Sequence, residues 1–489
     1  MAHSHDANTA YMHEFRDALE DMGVDTRDDP YLQRYAPLGG AVDAVRTPSG
    51  ALIRPGSRTD SRPNSRPTSK EGTGNRPASR GATGGRRPLG GAARGTTPEV
   101  GGGAFAMCGS MVVSRSAHSG TEGRWAEGPQ NSIVPVKEWT SVKHGREVQN
   151  RCSSGRVIDL SDRNIFCMSI LGEKAVLGSG DHGLAEINIR SGQKVRTLYS
   201  KTHGHTEWVT TVSHCPDGRI VSGAMDSKVC LWNASGVHCD NLTGHMGGIS
   251  RVRVDERGKL AISSSYDRTL SVWDLRGKRM MCSCTGHNAP VLDFVWFEQF
   301  VASGDRSGLV KLWDTNHATN IGTLKGHKGH ITAMCAVPDP SGGSQLVLTG
   351  AQDGCLRIWD LRQKLNTLTL QAHPGGAVND IGITARREVP LCVTTGADGR
   401  VLVLEPRSNF RVVHELGPML TDDFFYSLLV LDQVAFLGVG RGNVLCLDLQ
   451  TGDIKYTLSG GENAIRCLGA CASSLVAAGD DGNAVIFDF

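Results

Sequence analysis

Histidine, serine and aspartate recur in this chain in an order that could support proton transfer. Gly-His opens four repeated units, at positions 204–205, 244–245, 286–287 and 326–327, and in three of them a Ser or Thr and then an Asp follow. These sets are His205, Ser222 and Asp226; His245, Ser263 and Asp267; and His327, Thr349 and Asp353. Ser, His and Asp are the residue types of a nucleophilic triad, in which the histidine activates the hydroxyl.

The same sets lie within a longer repeat. Each Gly-His is followed by a strand pattern that ends in Trp-Asp or Trp-Asn, at Trp232-Asn233, Trp273-Asp274, Trp313-Asp314 and Trp359-Asp360. A period near 40 residues with this pair of dipeptides is typical of one supersecondary unit repeated around a propeller. The elements that position the histidines are therefore predicted to be short antiparallel strands.

These units resemble the blades of WD40-repeat proteins, and the resemblance covers about the last 335 residues. In that family each blade has four strands, a to d, and a buried network joins the turn Asp, the Gly-His histidine, a strand-b hydroxyl and the strand-c Trp. The resemblance implies three such sets here: His205, Ser222, Asp226 and Trp232; His245, Ser263, Asp267 and Trp273; and His327, Thr349, Asp353 and Trp359. Blade four has His287, Ser303 and Trp313, but Ser307 at the Asp position. Because such groups satisfy one another's hydrogen bonds, we interpret them as structural and not catalytic.

The number of blades follows from the strand–turn–strand units. Eight of them recur, around Gly180, Asp226, Asp267, Ser307, Asp353, Asp398, Arg441 and Asp481. Residues 157–489 provide about 42 residues for each of eight blades, the usual length. The last unit ends without an outer strand, and Val157–Leu160 has no blade of its own. We therefore predict an all-β fold, a single eight-bladed propeller that this N-terminal strand closes, with a largely disordered region before it.

The family resemblance implies binding at the rim of the central channel. The residues before strand a and before the turn Asp are then candidate partner contacts: Trp208, Met225, Tyr266, Arg306, His330 and Gln352. Trp, Tyr and Arg are favoured anchors at interfaces. For Trp208 the sequence leaves open an alternative, packing against the adjacent blade.

Two arginines form a second candidate site. Blades three and five end in Trp-Asp-Leu-Arg, at Arg276 and Arg362. This box is similar to that of WD40 substrate receptors of cullin-4 ubiquitin ligases, where the arginine reaches the adaptor. Blade four, which lies between them, lacks the arginine.

The region before the propeller divides into three segments. Residues 1–39 contain Met12, Phe15, Leu19 and Met22 at helical spacing, a short amphipathic helix that docks either in cis or in trans. Residues 40–128 are rich in Gly, Ser, Pro and Arg, which predicts a disordered basic linker. Residues 129–156 form an ordered lead-in, with a short strand at Ile133–Val136 and a helix at Lys137–Asn150.

The linker carries most of the positive charge. Between Arg46 and Arg94 are ten Arg and one Lys against two acidic residues, although the whole chain has a net charge of only +2. Such an arm attracts polyanions, for example acidic tubulin tails or nucleic acid, or else only keeps the chain soluble. It has no interleaved aromatic residues, which disfavours nucleic acid. Ser57, Ser65, Ser69 and Ser79 each follow an Arg by three residues and are candidate phosphorylation sites.

Several other classes of function are disfavoured. The sequence has no phosphate-binding glycine loop, no His-Glu-x-x-His and no nucleophile elbow, so we expect neither an enzyme nor a cofactor or metal site. Its fourteen cysteines include no Cys-x-x-Cys pair and many lie in apolar strand patterns, which favours free thiols and a cytoplasmic location. No apolar run is long enough to span a membrane.

Three functions remain open on this basis. The first is a scaffold in a multiprotein complex, in the cytoskeleton or cilium, with the basic arm as a tether. The second is a cullin-4 substrate receptor that uses Arg276 and Arg362. The third is an RNA-associated scaffold that uses the arginine-rich arm.

Overall fold

The computed structural model describes residues 124–129, 133–135, 142–143, 146–147, 151–199, 204–297, 300–338, 346–384, 389–418 and 424–489. The amphipathic segment at residues 11–22, the arginine-rich linker and its four candidate serines lie outside the described residues. Before blade one the described chain forms one short helix, α1 (Arg124–Glu127), and the strands β1 (Ile133–Pro135), β2 (Val142–Lys143), β3 (Arg146–Glu147), β4 (Arg151–Ser154) and β5 (Arg156–Asp159).

The next part of the chain forms four-stranded antiparallel sheets, which are blades one to four. Their strands, from the centre outwards, are Ile165–Leu171, Lys174–Ser179, Leu184–Asn188 and Gln193–Leu198 (β6–β9); Val209–His214, Ile220–Ala224, Val229–Trp232 and Cys239–Leu242 (β10–β13); Ile249–Val254, Leu260–Ser265, Thr269–Asp274 and Arg279–Thr285 (β14–β17); and Val291–Phe297, Phe300–Asp305, Val310–Asp314 and Thr319–Leu324 (β18–β21).

Blades five to eight complete the ring, so the predicted eight-bladed all-β propeller is confirmed. Their strands are Ile331–Ala336, Leu346–Ala351, Cys355–Asp360 and Leu365–Gln371 (β22–β25); Val378–Ile383, Cys392–Gly396, Val401–Glu405 and Arg411–Leu416 (β26–β29), with a 3₁₀ turn at Pro406–Ser408; Phe425–Val430, Val434–Val439, Asn443–Asp448 and Ile454–Ser459 (β30–β33); and Ile465–Cys471, Ser474–Gly479 and Asn483–Asp488 (β34–β36).

The apolar core lies between blades and not within any one of them. The described residues form eight buried clusters, and each one combines side chains of two neighbouring blades. For example, Ile249 of blade three packs with Val221 and Leu231 of blade two. A blade is hydrophobic on both faces, so it is stable only when both neighbours are present.

The inner strands are also linked by hydrogen bonds. All eight carry a β-bulge after their first residue, which re-aims the side chain of the extra residue. Thr210 donates to the Ile249 carbonyl at 2.5 Å and Ser250 to the Val291 carbonyl at 2.6 Å. Thr332 bonds the carbonyl of Val378 and Asn379 bonds that of Phe425 in the same way. These bonds hold each inner strand against the next.

The ring is closed as the sequence predicts. Strand β5 pairs antiparallel with β36 and supplies the missing outer strand of blade eight. Arg156 holds this strand in place: its guanidinium bonds the Asp488 carboxylate at 3.0 Å and the carbonyls of Ile189 and Arg190 at 3.1 Å each. One side chain therefore joins the closing strand to both blade eight and blade one.

The lead-in differs from the prediction. Within residues 137–150 the described parts are the paired strands β2 and β3 instead of a helix, since Gly145 lies between them and glycine is a poor helix former. Strand β4 runs parallel to β33, and β1 pairs with β4, so blade seven becomes a six-stranded sheet.

An ordered element also lies within the segment predicted to be disordered. Helix α1 buries Trp125, whose ring lies 4.5 Å from that of Phe489 and 5.9 Å from that of Phe436. The Tyr456 hydroxyl donates to the Trp125 carbonyl at 2.5 Å. The ordered structure therefore begins before residue 129.

Arg156 provides a test of the closure. We expect Arg156→Ala to lower the free energy of unfolding by on the order of 1–2 kcal/mol, because two backbone carbonyls and Asp488 lose a charged donor. Arg190→Ala is the matched control, since its side chain is 82% exposed and its loss should cost less than about 0.5 kcal/mol. Chemical denaturation of the full chain measures both, and equal effects would show that Arg156 does not hold the closing strand.

Candidate functional site

The predicted histidine networks are present in blades two, three and five. In blade two, His205 Nε2 lies 2.7 Å from Ser222 Oγ and its Nδ1 lies 3.1 Å from the Asp226 carboxylate. The Trp232 indole donates to Ser222 Oγ at 2.8 Å. Blade three repeats this arrangement with His245, Ser263, Asp267 and Trp273, and blade five with His327, Thr349, Asp353 and Trp359.

The connectivity matches that of a nucleophilic triad, but the hydroxyl is unusable. The aspartate accepts from His Nδ1, so Nε2 is left to accept the proton of the serine hydroxyl. A triad nucleophile must face a substrate, yet Ser222 is 0% exposed and already accepts a hydrogen bond from Trp232. The network thus satisfies buried polar groups and offers no reacting atom to solvent.

The same hydrogen bonds keep the aspartates ionised. Burial by itself raises the pKa of Asp267, but the bonds from His245, Thr269 and the Met246 N–H outweigh it and lower the pKa to about 2. The pKa of Asp226 is also lowered, for a similar balance of burial and bonds from His205. Since the folded pKa of Asp267 lies below its ordinary 3.8, its contribution to stability is present above pH 3.8 and is lost as the pH falls towards 2.

Blade four completes its network from a position that the sequence did not indicate. His287 Nδ1 lies 2.7 Å from the carboxylate of Asp305, two residues before Ser307. Asp305 also accepts from the Ser307 hydroxyl at 2.6 Å and the Leu309 N–H at 3.0 Å. Ser307 therefore supports the aspartate and does not replace it. The signal available in the sequence was an Asp at the end of strand b.

Blades six and one depart in different ways. In blade six, His373 bonds Asp398 at 2.9 Å and Thr394 at 3.0 Å, so only the Trp is missing, and Leu404 occupies its place. The Ala372-His373 dipeptide was the available signal. In blade one, Ser161 stands where the histidine would be and donates to Asp181 at 2.9 Å. A small cavity lies beside it, lined by Ser161, Ser179 and Asp181 among others.

The candidate rim residues fall into two groups. Trp208, Met225 and Tyr266, on blades two and three, are buried. Trp208 stacks on Phe166 of blade one at 5.5 Å, which is the packing that the sequence left as an alternative. Arg306 and His330 are half-buried and Gln352 is exposed. The accessible members of the set therefore lie on blades four and five.

The two arginines of the Trp-Asp-Leu-Arg boxes occupy equivalent positions. Each follows strand c, and its backbone N–H bonds the preceding Asp, at 3.0 Å for Arg276 and 2.8 Å for Arg362. Both residues are exposed. In blade four the same turn is made by Asn316, which bonds Asp314 at 2.9 Å.

The described ranges contain no group of three or more His, Cys, Asp or Glu that could hold a metal ion. The twelve cysteines described there are free thiols, and burial raises the pKa of most of them, to about 12 at Cys215 and Cys284. Among these residues no helix has the length and apolar character needed to span a membrane.

The family model for the WD domain, G-beta repeat, matches residues 192–233, 236–274, 278–314 and 318–360. Each match ends at the Trp-Asp or Trp-Asn dipeptide of one of blades two to five. Blades two to five are therefore WD40 repeats, and the whole ring is an eight-bladed β-propeller.

The chain matches curated relatives over well under two thirds of their length. The chain is 32% identical over 168 residues to nuclear distribution protein PAC1-2 of Uncinocarpus reesii, which is 34% of this chain and 32% of that protein. It is 27% identical over 186 residues to telomerase protein component 1 of Mus musculus, 35% of this chain and 7% of that protein. With the ribosome biogenesis protein WDR12 homolog of Anopheles gambiae, identity is 25% over 27% of this chain and 37% of that protein.

Two solved structures have the same fold. The computationally designed protein Ika8 superposes with a TM-score of 0.60 at 22% identity, over 69% of this chain and 100% of that one. Sqt1 of Saccharomyces cerevisiae gives 0.60 at 15% identity, over 69% and 99%. At such identities the similarity concerns the propeller fold alone.

Blade four of the WD40 ring allows a test of the network. We expect Asp305→Ala to lower the free energy of unfolding by about 3 kcal/mol, because the His287 Nδ1–H and two backbone N–H groups lose their acceptor in a buried site. Ser307→Ala, the matched control, removes one bond from an exposed residue and should cost under about 1 kcal/mol. Denaturation of the full chain and hydrogen exchange across residues 300–314 measure the difference. A larger effect at Ser307 would assign it the role that the sequence suggested.

Proposed function

We propose that this WD40 protein is a non-enzymatic scaffold that binds protein partners on the channel rim of blades four and five. The observation that carries the proposal is that each histidine–aspartate pair is enclosed within its blade, whereas Arg306, His330 and Gln352 reach the surface. A rigid ring supports binding at the rim because its backbone is already ordered, so association costs less conformational entropy.

We place the scaffold in a cytoskeletal or ciliary complex in the cytoplasm. The nuclear distribution protein among the relatives is consistent with this setting, as is the charge of the arm, with ten Arg and one Lys between Arg46 and Arg94. Such an arm would bind the acidic tails of tubulin through long-range attraction. An RNA-associated role is a weaker candidate, since the arm lacks aromatic residues on which bases could stack.

A second candidate function is that of a substrate receptor for a cullin-4 ubiquitin ligase. It is supported by the equivalent and exposed positions of Arg276 and Arg362. It is weakened by the blade between them, because Asn316 occupies the matching turn.

One affinity purification separates these two functions. We expect the variant Arg306→Ala, His330→Ala, Gln352→Ala to lose most partners that the full chain recovers from its native cells, since small groups of interface residues carry most binding energy. Arg276→Ala with Arg362→Ala should retain them. Mass spectrometry of the recovered proteins measures both sets. Recovery of a cullin and its adaptor that only the second variant loses would favour the receptor instead.

The tether has its own test. Full chain should co-sediment with microtubules at low salt, and replacing residues 46–94 by an uncharged Gly/Ser/Pro segment of equal length should reduce the bound fraction several-fold. Raised salt should release the full chain, because surface charges are screened beyond about 8 Å at physiological ionic strength. Binding that neither salt nor the replacement alters would exclude the arm as the tether.

A further inference from the structure

The upper face of blades three to five, which carries the Gly-His loops and the turn aspartates, is basic. We name this surface the basic sector; it comprises Arg268, Arg306, Lys311, Lys325, Lys328 and Arg357. Arg268, Lys325 and Lys328 are exposed, and the others are half-buried.

The fold brings the sector residues of blades four and five together, next to blade three with Arg268. The turn of blade four packs on the loop of blade five: a Cβ added to Gly308 would lie 2.6 Å from the Gly329 carbonyl oxygen. Arg306 is thereby placed next to the loop that carries Lys328. A Cβ added to Gly326 would lie 2.7 Å from Arg357 Nη1, so this guanidinium lies beside Lys325.

The turn carboxylates of the same blades do not neutralise Arg268, Lys325 and Lys328. Asp267 and Asp305 are bonded to the blade histidines. Asp353 accepts from His327 and from the backbone N–H groups of Lys328 and Cys355, at 2.9 and 3.0 Å for the latter two. Their ionised oxygens point into the blades and are largely saturated with donors. Within the described ranges, Arg268, Lys325 and Lys328 form no ion pair with a carboxylate.

The opposite side of the same face lacks this basic excess. Blades eight and one present the exposed carboxylates Asp162 and Glu462 there, with Arg163 as an exposed base. Asp480 is paired with Arg466 in two bonds of 2.9 Å, and the turn aspartates Asp181 and Asp481 are hydrogen-bonded like those of blades three to five. The two sides of the face, about half a ring apart, therefore differ in charge.

We propose that the basic sector binds a short acidic segment of a partner protein, whose Asp and Glu carboxylates pair with Lys325, Lys328 and Arg268. This inference rests on the proposed scaffold function and names the chemistry of its partner. A peptide fits better than a nucleic acid for two reasons. Tyr266, two residues before Arg268, is 8% exposed and offers no stacking platform. A long polyanion that crossed the face would also meet the exposed carboxylates Asp162 and Glu462.

The experiment uses the full chain and an oligoglutamate peptide with a terminal benzophenone, at physiological ionic strength. After irradiation, mass spectrometry maps the cross-linked residues. We expect adducts within residues 325–330 and around Arg306, and an about tenfold lower yield there in Lys325→Glu with Lys328→Glu, since like charges at an interface oppose association. Arg257→Glu with Lys259→Glu is the matched control, because both residues are exposed on the inner-strand loop at the other face of blade three.

Two further comparisons decide the outcome. The neutral double variant, Lys325→Gln with Lys328→Gln, should give an intermediate cross-linking yield. If the charge-reversal variant, Lys325→Glu with Lys328→Glu, does not fold, the neutral variant takes its place. Adducts confined to residues 46–94, or an undiminished yield in the reversal variant, would overturn the proposal. So would RNA that displaces the peptide from the sector while itself cross-linking there. None of these results would alter partner recovery in the rim experiment, so the two proposals can fail separately.

Discussion

The hydrogen-bond chain from Trp through Ser or Thr and His to Asp is the interaction on which this propeller depends. In blade two it joins the entering loop at His205, strand b at Ser222, the turn at Asp226 and strand c at Trp232. A polar group buried without a partner costs about 1–3 kcal/mol, so each member stabilises the position of the next. Where a blade lacks part of the chain, another contact takes over: Ser161 bonds Asp181 in blade one, and Leu404 fills the place of the Trp in blade six.

The sequence predicts the features of this structure that depend on residues close together in the chain, and it does not predict contacts between distant residues. The period of Gly-His and Trp-Asp defines blades two to five, and equal spacing extends the count to eight, since each blade is one contiguous segment. Asp305 was missed because the histidine needs a carboxylate oxygen at a certain place in space, and residues at different sequence positions can supply it. The side chain of Asp305 reaches His287 from the end of strand b, two residues before the usual position. Trp125 was missed for a different reason. Its partner Tyr456 lies 331 residues away, and no local pattern encodes that contact.

The ring must close because the apolar core lies between neighbouring blades. All eight core clusters of the described chain join two blades, so an open ring would expose an apolar face on blade eight and another on blade one. Strand β5 prevents this, and Arg156 bonds both blades. Residues 124–154 extend the principle to blade seven, whose outer edge is covered by β4 and β1. An unpaired strand edge invites association with other chains, and this one is removed.

The blade network also determines the charge of the surface. A repeat with an Asp in most of its turns would be expected to give an acidic face, but hydrogen bonds aim the carboxylates of Asp267 and Asp305 inwards, at 2.7 Å from His245 and His287. The exposed positions of the same loops are then free to vary without loss of stability, and in blades three to five they are Arg268, Lys325 and Lys328. In blades eight and one the corresponding loops carry the exposed carboxylates Asp162 and Glu462 instead. The structural role of the turn aspartates thus separates fold from surface charge, so that different sides of one face of the ring can differ in charge.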